Sequence, residues 1–159
     1  MRKSSTIFLQ VVVVAIGFGA LALMLWEPHL EGRNANATSF EIYFKDPFLA
    51  YAYIASVAFF VALFKAFRLL GYIRQNKVFS QAAVNALGTI RNCAMALIAL
   101  IAAPIAYLLI ARPGDDIAGG VAVGTFLIFV SAVIATAAAV FQRTLQGALD
   151  IKSENDLTV

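Results

Sequence analysis

Along this chain apolar positions do not alternate with polar ones; they run on without a break. Residues 7–26 are interrupted only by Gln10, the next run spans about residues 47–70 and carries no charge before Lys65, and two more cover residues 93–111 and 117–141. A helix rises about 1.5 Å per residue and the hydrocarbon core of a bilayer is about 30 Å thick, so each run is close to one crossing. Lipid offers an open backbone no hydrogen bonds, which makes the runs helices; barrel strands would alternate over about ten residues. The pattern predicts an all-α integral membrane protein, a four-helix transmembrane bundle forming one domain over residues 1–159. A loop at 71–92 and a tail at 142–159 lie outside the spans.

The flanks support these boundaries. Trp26 sits where an interfacial aromatic belongs, Asp46-Pro47 is a helix-start signal, and Lys65 and Arg68 reach headgroups by snorkelling. Pro104 predicts a kink in the third helix, with a hinge as the functional alternative, and Arg112-Pro113-Gly114 ends that helix. Arg2 and Lys3 before an apolar run, with Ala20-Leu21-Ala22 inside it, resemble a secretory signal. The run continues past Ala22 and three more spans follow, so the first helix is expected to be an uncleaved anchor.

Composition agrees with a lipid solvent: 62% of residues are hydrophobic and 13% charged, against roughly 45–50% and about 25% in soluble domains. The net charge of +3 matters by placement. Arg2, Lys3, Lys65, Arg68, Arg74, Lys77, Arg91, Arg143 and Lys152 fall on one side of the spans, while Arg33, Lys45 and Arg112 fall on the other. The positive-inside rule places the first set, and with it the N- and C-termini, in the cytoplasm. No basic stripe marks a nucleic-acid footprint, so no direct nucleic-acid contact is expected; the first partner is the lipid bilayer.

Helices in lipid associate where small side chains let backbones approach. Ala96, Ala99, Ala103 and Ala106 form such a stripe on the third span, and Gly120, Gly124, Ser131, Ala135 and Ala138 form one on the fourth. The expectation is that these faces meet inside the bundle, with a homo-oligomer contact as the alternative. Gln10, Ser56, Thr125, Ser131 and Thr136 are suited to hydrogen bonding within or between helices. Catalysis is not expected: the spans carry no paired carboxylates, nucleophile set or phosphate-cradling loop. No cofactor or metal is expected either. His29 lies near Glu27 and Glu31 but lacks further histidine or cysteine partners, Cys93 stands alone, and Asn36-Ala37-Thr38 matches only the short glycosylation pattern.

Two segments outside the spans carry the remaining information. In the loop, Ser80 is a good N-cap for a helical piece with Val84, Leu87 and Ile90 on one side, read first as topology-setting charge with a lipid-facing helix. In the tail, Leu145, Ala148, Leu149 and Lys152 keep helical spacing, so the fourth helix should continue until about Ser153. The end, Glu154-Asn155-Asp156-Leu157-Thr158-Val159, is acidic and then β-prone. It is read as fraying, as adding a strand to a partner's sheet, or as docking on the basic loop.

The stretch from Phe79-Ser80 to Arg91 and the ending Ala148-Leu149-Asp150-Ile151-Lys152-Ser153-Glu154-Asn155-Asp156-Leu157-Thr158-Val159 resemble the bacterial four-span proteins grouped as domain of unknown function 2975. The span order and length are similar too. The resemblance implies a multi-pass protein of the bacterial inner membrane, whose relatives are often encoded beside a very small helix-turn-helix regulator. It suggests a regulatory membrane protein that binds or sequesters such a regulator, with Asp150, Glu154, Asn155, Asp156, Leu157, Thr158, Val159, Phe79 and Ser80 as the expected contact residues. A small oligomeric transporter or channel, or an accessory subunit of a membrane complex, is the alternative.

Overall fold

The computed structural model describes residues 3–30, 38–44, 47–111 and 117–157. Five helices follow one another: α1 (Lys3–Leu30), α2 (Ser39–Phe44), α3 (Pro47–Arg74), α4 (Gln81–Ala111) and α5 (Ala118–Leu157). No strand occurs among the described residues. Four helices are long and apolar enough to cross a membrane, over Ser4–Trp26, Phe48–Arg74, Gln81–Ala111 and Ala118–Asn155.

The long helices pack mainly with their neighbours in sequence. α1 lies on α3, α3 on α4, and α4 on α5, the last being the most extensive contact. The short α2, which the apolar pattern does not predict, lies against α3. Its start is a capping box. The Thr38 hydroxyl accepts from the Glu41 backbone N–H at 3.3 Å, while the Glu41 carboxylate accepts from the Thr38 N–H at 3.2 Å.

The α3–α4 connection is much shorter than the loop expected at 71–92. α3 runs to Arg74 and closes in a Schellman motif: Lys77 N–H donates to the Tyr72 carbonyl at 2.8 Å and Asn76 N–H to the Ile73 carbonyl at 3.1 Å. Asn76 takes the left-handed conformation this needs, at φ 56°. Ser80 then caps α4, its hydroxyl accepting from Ala83 N–H at 3.3 Å. With 31 residues, α4 is about 46 Å long, and the 40 residues of α5 make about 60 Å. Both exceed a hydrocarbon core of about 30 Å.

The best-packed region lies at the end of the molecule that holds this turn. Ala83, Val84, Leu87 and Ile90 of α4 are buried with Ala138 and Leu145 of α5, and Ala66, Leu69, Tyr72, Val78 and Leu149 close around them. Val84, Leu87 and Ile90 thus face protein, not lipid. The first turns of α4 lie between α3 and α5, which leaves that apolar side no lipid to meet.

Candidate functional site: the basic end of the helices

Arg68, Arg74, Lys77, Arg143 and Lys152 are exposed toward this packed end of the structure, with Arg91 half-buried. Arg68 rests between two rings of its own helix, 5.9 Å from the centroids of both Phe64 and Tyr72. Phe79 projects from the turn 65% exposed, while the neighbouring Ser80 is half-buried and occupied in capping. On α5, Asp150 is exposed and accepts from Gln146 Nε2 at 2.9 Å. Glu154 and Asn155 are exposed as well, and Ile151 is 62% exposed between these acids.

The tail differs from its expected form. α5 continues through Leu157, past Ser153, so residues 150–157 are helical and do not offer an extended strand. Helical spacing puts positions 150, 154 and 157 on one face. The Asp156 and Leu157 side chains, and all of Thr158 and Val159, lie outside the described residues. The same holds for Glu31 and for the side chains of Glu27 and His29. Among the described residues no three of His, Cys, Asp or Glu come together.

The α4–α5 seam also departs from expectation. Ala96, Ala99, Ala103 and Ala106 are all exposed. The seam instead uses Leu87, Gly88, Ile90 and Ala94, then Ile101 and Ile105. At 100° per residue, Ala96 lies about 200° around the helix from Ala94, so the alanines occupy the opposite face. Of the two glycines on α5, Gly120 has open space around it, whereas a Cβ at Gly124 would meet Ile105 Cδ1 at 2.5 Å. Ser131, Ala135 and Ala138 continue the buried side of α5. Small residues on α5 therefore receive large ones from α4. Near the packed end the arrangement reverses: Gly88 of α4 lies beneath the Gln142 amide of α5, where a Cβ would sit 2.8 Å from Nε2.

Polar side chains act as pins between helices. Gln10 Nε2 donates to the Phe67 carbonyl at 3.3 Å and joins α1 to α3 near the basic end. At the opposite end, the Tyr43 and Tyr53 hydroxyls each donate at 2.9 Å, to the carbonyls of Leu25 and Met24. Ser56 and Thr136 bond carbonyls of their own helices. α4 is continuous through Pro104, which has no N–H to offer the Leu100 carbonyl. The Tyr51 hydroxyl of α3 donates to that carbonyl at 2.7 Å. An acceptor that proline leaves open inside the bilayer is thus satisfied from the neighbouring helix.

The apolar pattern predicts none of three features: the Thr38…Glu41 spacing of a capping box, the tyrosine hydroxyl bonds, and the Gly88–Gln142 pair. Only the first is visible locally.

Residues 31–159 match the family described as a protein of unknown function (DUF2975). Over its whole length the chain is 42% identical to the uncharacterized membrane protein YoaS of Bacillus subtilis (strain 168), which it also covers completely. No solved structure matches. With its four candidate spans and a match over most of its length, the chain is a multi-pass membrane protein that belongs to the DUF2975 family.

Proposed function

We propose that this protein is a non-enzymatic regulatory component of the bacterial cytoplasmic membrane. Both termini face the cytoplasm, where the packed basic end binds or sequesters a small helix-turn-helix regulator. One observation carries the reading: the best-packed core and the helical extension of α5 share one end, where the chain is too long to be needed for crossing lipid. Such an end is a platform available to a partner in water. The nine-to-three distribution of Lys and Arg supports its cytoplasmic placement. The family resemblance supports the kind of partner.

The recognition mode is helix against surface, not strand addition. A DNA-binding surface is basic because it neutralises phosphates, so Asp150 and Glu154 offer it complementary charge, which speeds encounter. Ile151 and Phe79 supply exposed apolar contact. The test is co-purification of the neighbouring helix-turn-helix protein with the full chain and with a chain lacking residues 154–159, at low and high salt. Capture should be lost on truncation, capture by the unaltered chain should weaken as salt rises, and Glu154→Lys with Asp156→Lys should weaken capture most at low salt. Undiminished capture by the truncated chain would remove the tail from the account.

A second reading, an oligomeric transporter or channel, draws on the exposed Ala96, Ala99, Ala103 and Ala106 face, which leaves α4 a close-packing surface for another copy. Flux in proteoliposomes tests it.

A further inference from the structure

α1 and α3 are pinned together at two levels. The Gln10–Phe67 bond closes one level, where a Cβ on Gly71 would also lie 3.7 Å from Gln10 Nε2; Tyr53 closes the other through the Met24 carbonyl, with Tyr43 of α2 bonded to the Leu25 carbonyl beside it. Between the pins lies a groove of about 340 Å³ with an apolar lining that includes Val14, Gly17 and Phe18 of α1 and Phe60, Phe64 and Phe67 of α3. Gly17 lines it, and a Cβ there would make ordinary contact with Leu63 at 3.7 Å, so only a larger side chain would fill the groove. Phe18 and Phe64 on its rim are largely exposed, so it opens sideways toward the bilayer.

A cation stands at one end. Arg68 lies over the ring of Phe64, which lines the groove, and its guanidinium has no carboxylate partner among the described residues. Arg68 is twenty residues beyond Phe48, about 30 Å along the helix, which is the thickness of the hydrocarbon core. A hydrocarbon core that begins at Phe48 would end at Arg68, which would set its charge at the level of lipid phosphates and the groove in the acyl region. An open apolar groove with one cation beside its Phe64 edge complements an anionic amphiphile.

We propose that the α1–α3 groove binds an acyl chain of an anionic phospholipid whose phosphate is held by Arg68. The assignment does not rest on the regulator reading. Arg68 supplies charge-assisted hydrogen bonds to the phosphate, and the two aromatic rings hold the guanidinium in place.

The protein, purified and delipidated in a maltoside detergent, is given phosphatidylglycerol or phosphatidylcholine of identical chains. Bound lipid is counted by native mass spectrometry, and the melting midpoint is followed alongside. The expected result is retention of phosphatidylglycerol about five-fold above phosphatidylcholine, the advantage of one cation near a headgroup. Arg68→Gln should remove that preference, Arg74→Gln should keep it, and Gly17→Leu should reduce both lipids. If Gly17→Leu fails to fold, Val14→Phe fills the groove from its exposed rim and should act likewise. Equal retention of the two lipids by the unaltered protein overturns the proposal, as does a preference that survives Arg68→Gln. So does inorganic phosphate matching the midpoint shift of phosphatidylglycerol, which would show a site for the free anion.

Discussion

The two ends of the helices are held together by different means. At the basic end, α3, α4 and α5 enclose a core around Ala83, Val84, Leu87 and Ile90, and the turn beneath it is secured by the Asn76 Schellman motif and the Ser80 cap. Toward the opposite end, burial is sparse and contacts become discrete: Gly124 against Ile105, and tyrosine hydroxyls on the carbonyls of Met24, Leu25 and Leu100. Packing of the first kind is what burial of apolar surface drives in water. Lipid tails are as apolar as leucine, so the second kind depends on close approach and on hydrogen bonds.

The sharpest way to break this contrast is in the basic-end core. Leu87→Ala, at a site 8% exposed, should cost about 2–4 kcal/mol in denaturant unfolding from detergent. A loss no greater than that of Met95→Ala, at an exposed site, would show that this end is not a core. Gly124→Leu should come next, at about 1–3 kcal/mol, because the new side chain drives α5 from Ile105. Leu127→Ala, at an exposed position, should cost clearly less, and equal melting midpoints would place Gly124 on a lipid-facing side.

Smaller, but more diagnostic, is the pair Tyr51 and Pro104. Tyr51→Phe leaves the Leu100 carbonyl unsatisfied and should cost about 1 kcal/mol. In a Pro104→Ala background residue 104 regains its N–H, and the same substitution should become nearly neutral. Additive losses in the double-mutant cycle would sever the hydroxyl from the proline. Of similar size, Ser80→Ala should lower global stability by about 1 kcal/mol, and smallest of all, Thr38→Ala at the cap of α2 should release only that short helix in hydrogen exchange.

What was legible in the sequence follows the same division. Lipid enforces apolar runs of fixed length, so the four spans can be read from solvent alone, and Ser80 announces the start of α4 through its own side chain. Faces are harder. The alanines from Ala96 to Ala106 show which side of α4 is small, but a helix in lipid gives no sign of where its neighbour stands, and the neighbour lies on the side of Ala94, Ile101 and Ile105. Tyr51 and Pro104 are far apart in sequence, so no local spacing connects them. The terminal segment looks β-prone from residue preference, yet it extends a helix already packed through Leu145 and Leu149, and continuing that helix overrides the local preference. Of the expected contact residues, Phe79, Asp150, Glu154 and Asn155 are exposed at one end of the molecule.

The central claim is that the packed end stands in cytoplasmic water. A single cysteine introduced as Ile151→Cys in a Cys93→Ser background, exposed to a membrane-impermeant maleimide, tests it most directly. The account predicts no labelling in intact cells and full labelling in inside-out vesicles. Labelling of intact cells would invert the orientation, and protection in both preparations would place this end of α5 out of water; either result contradicts the account.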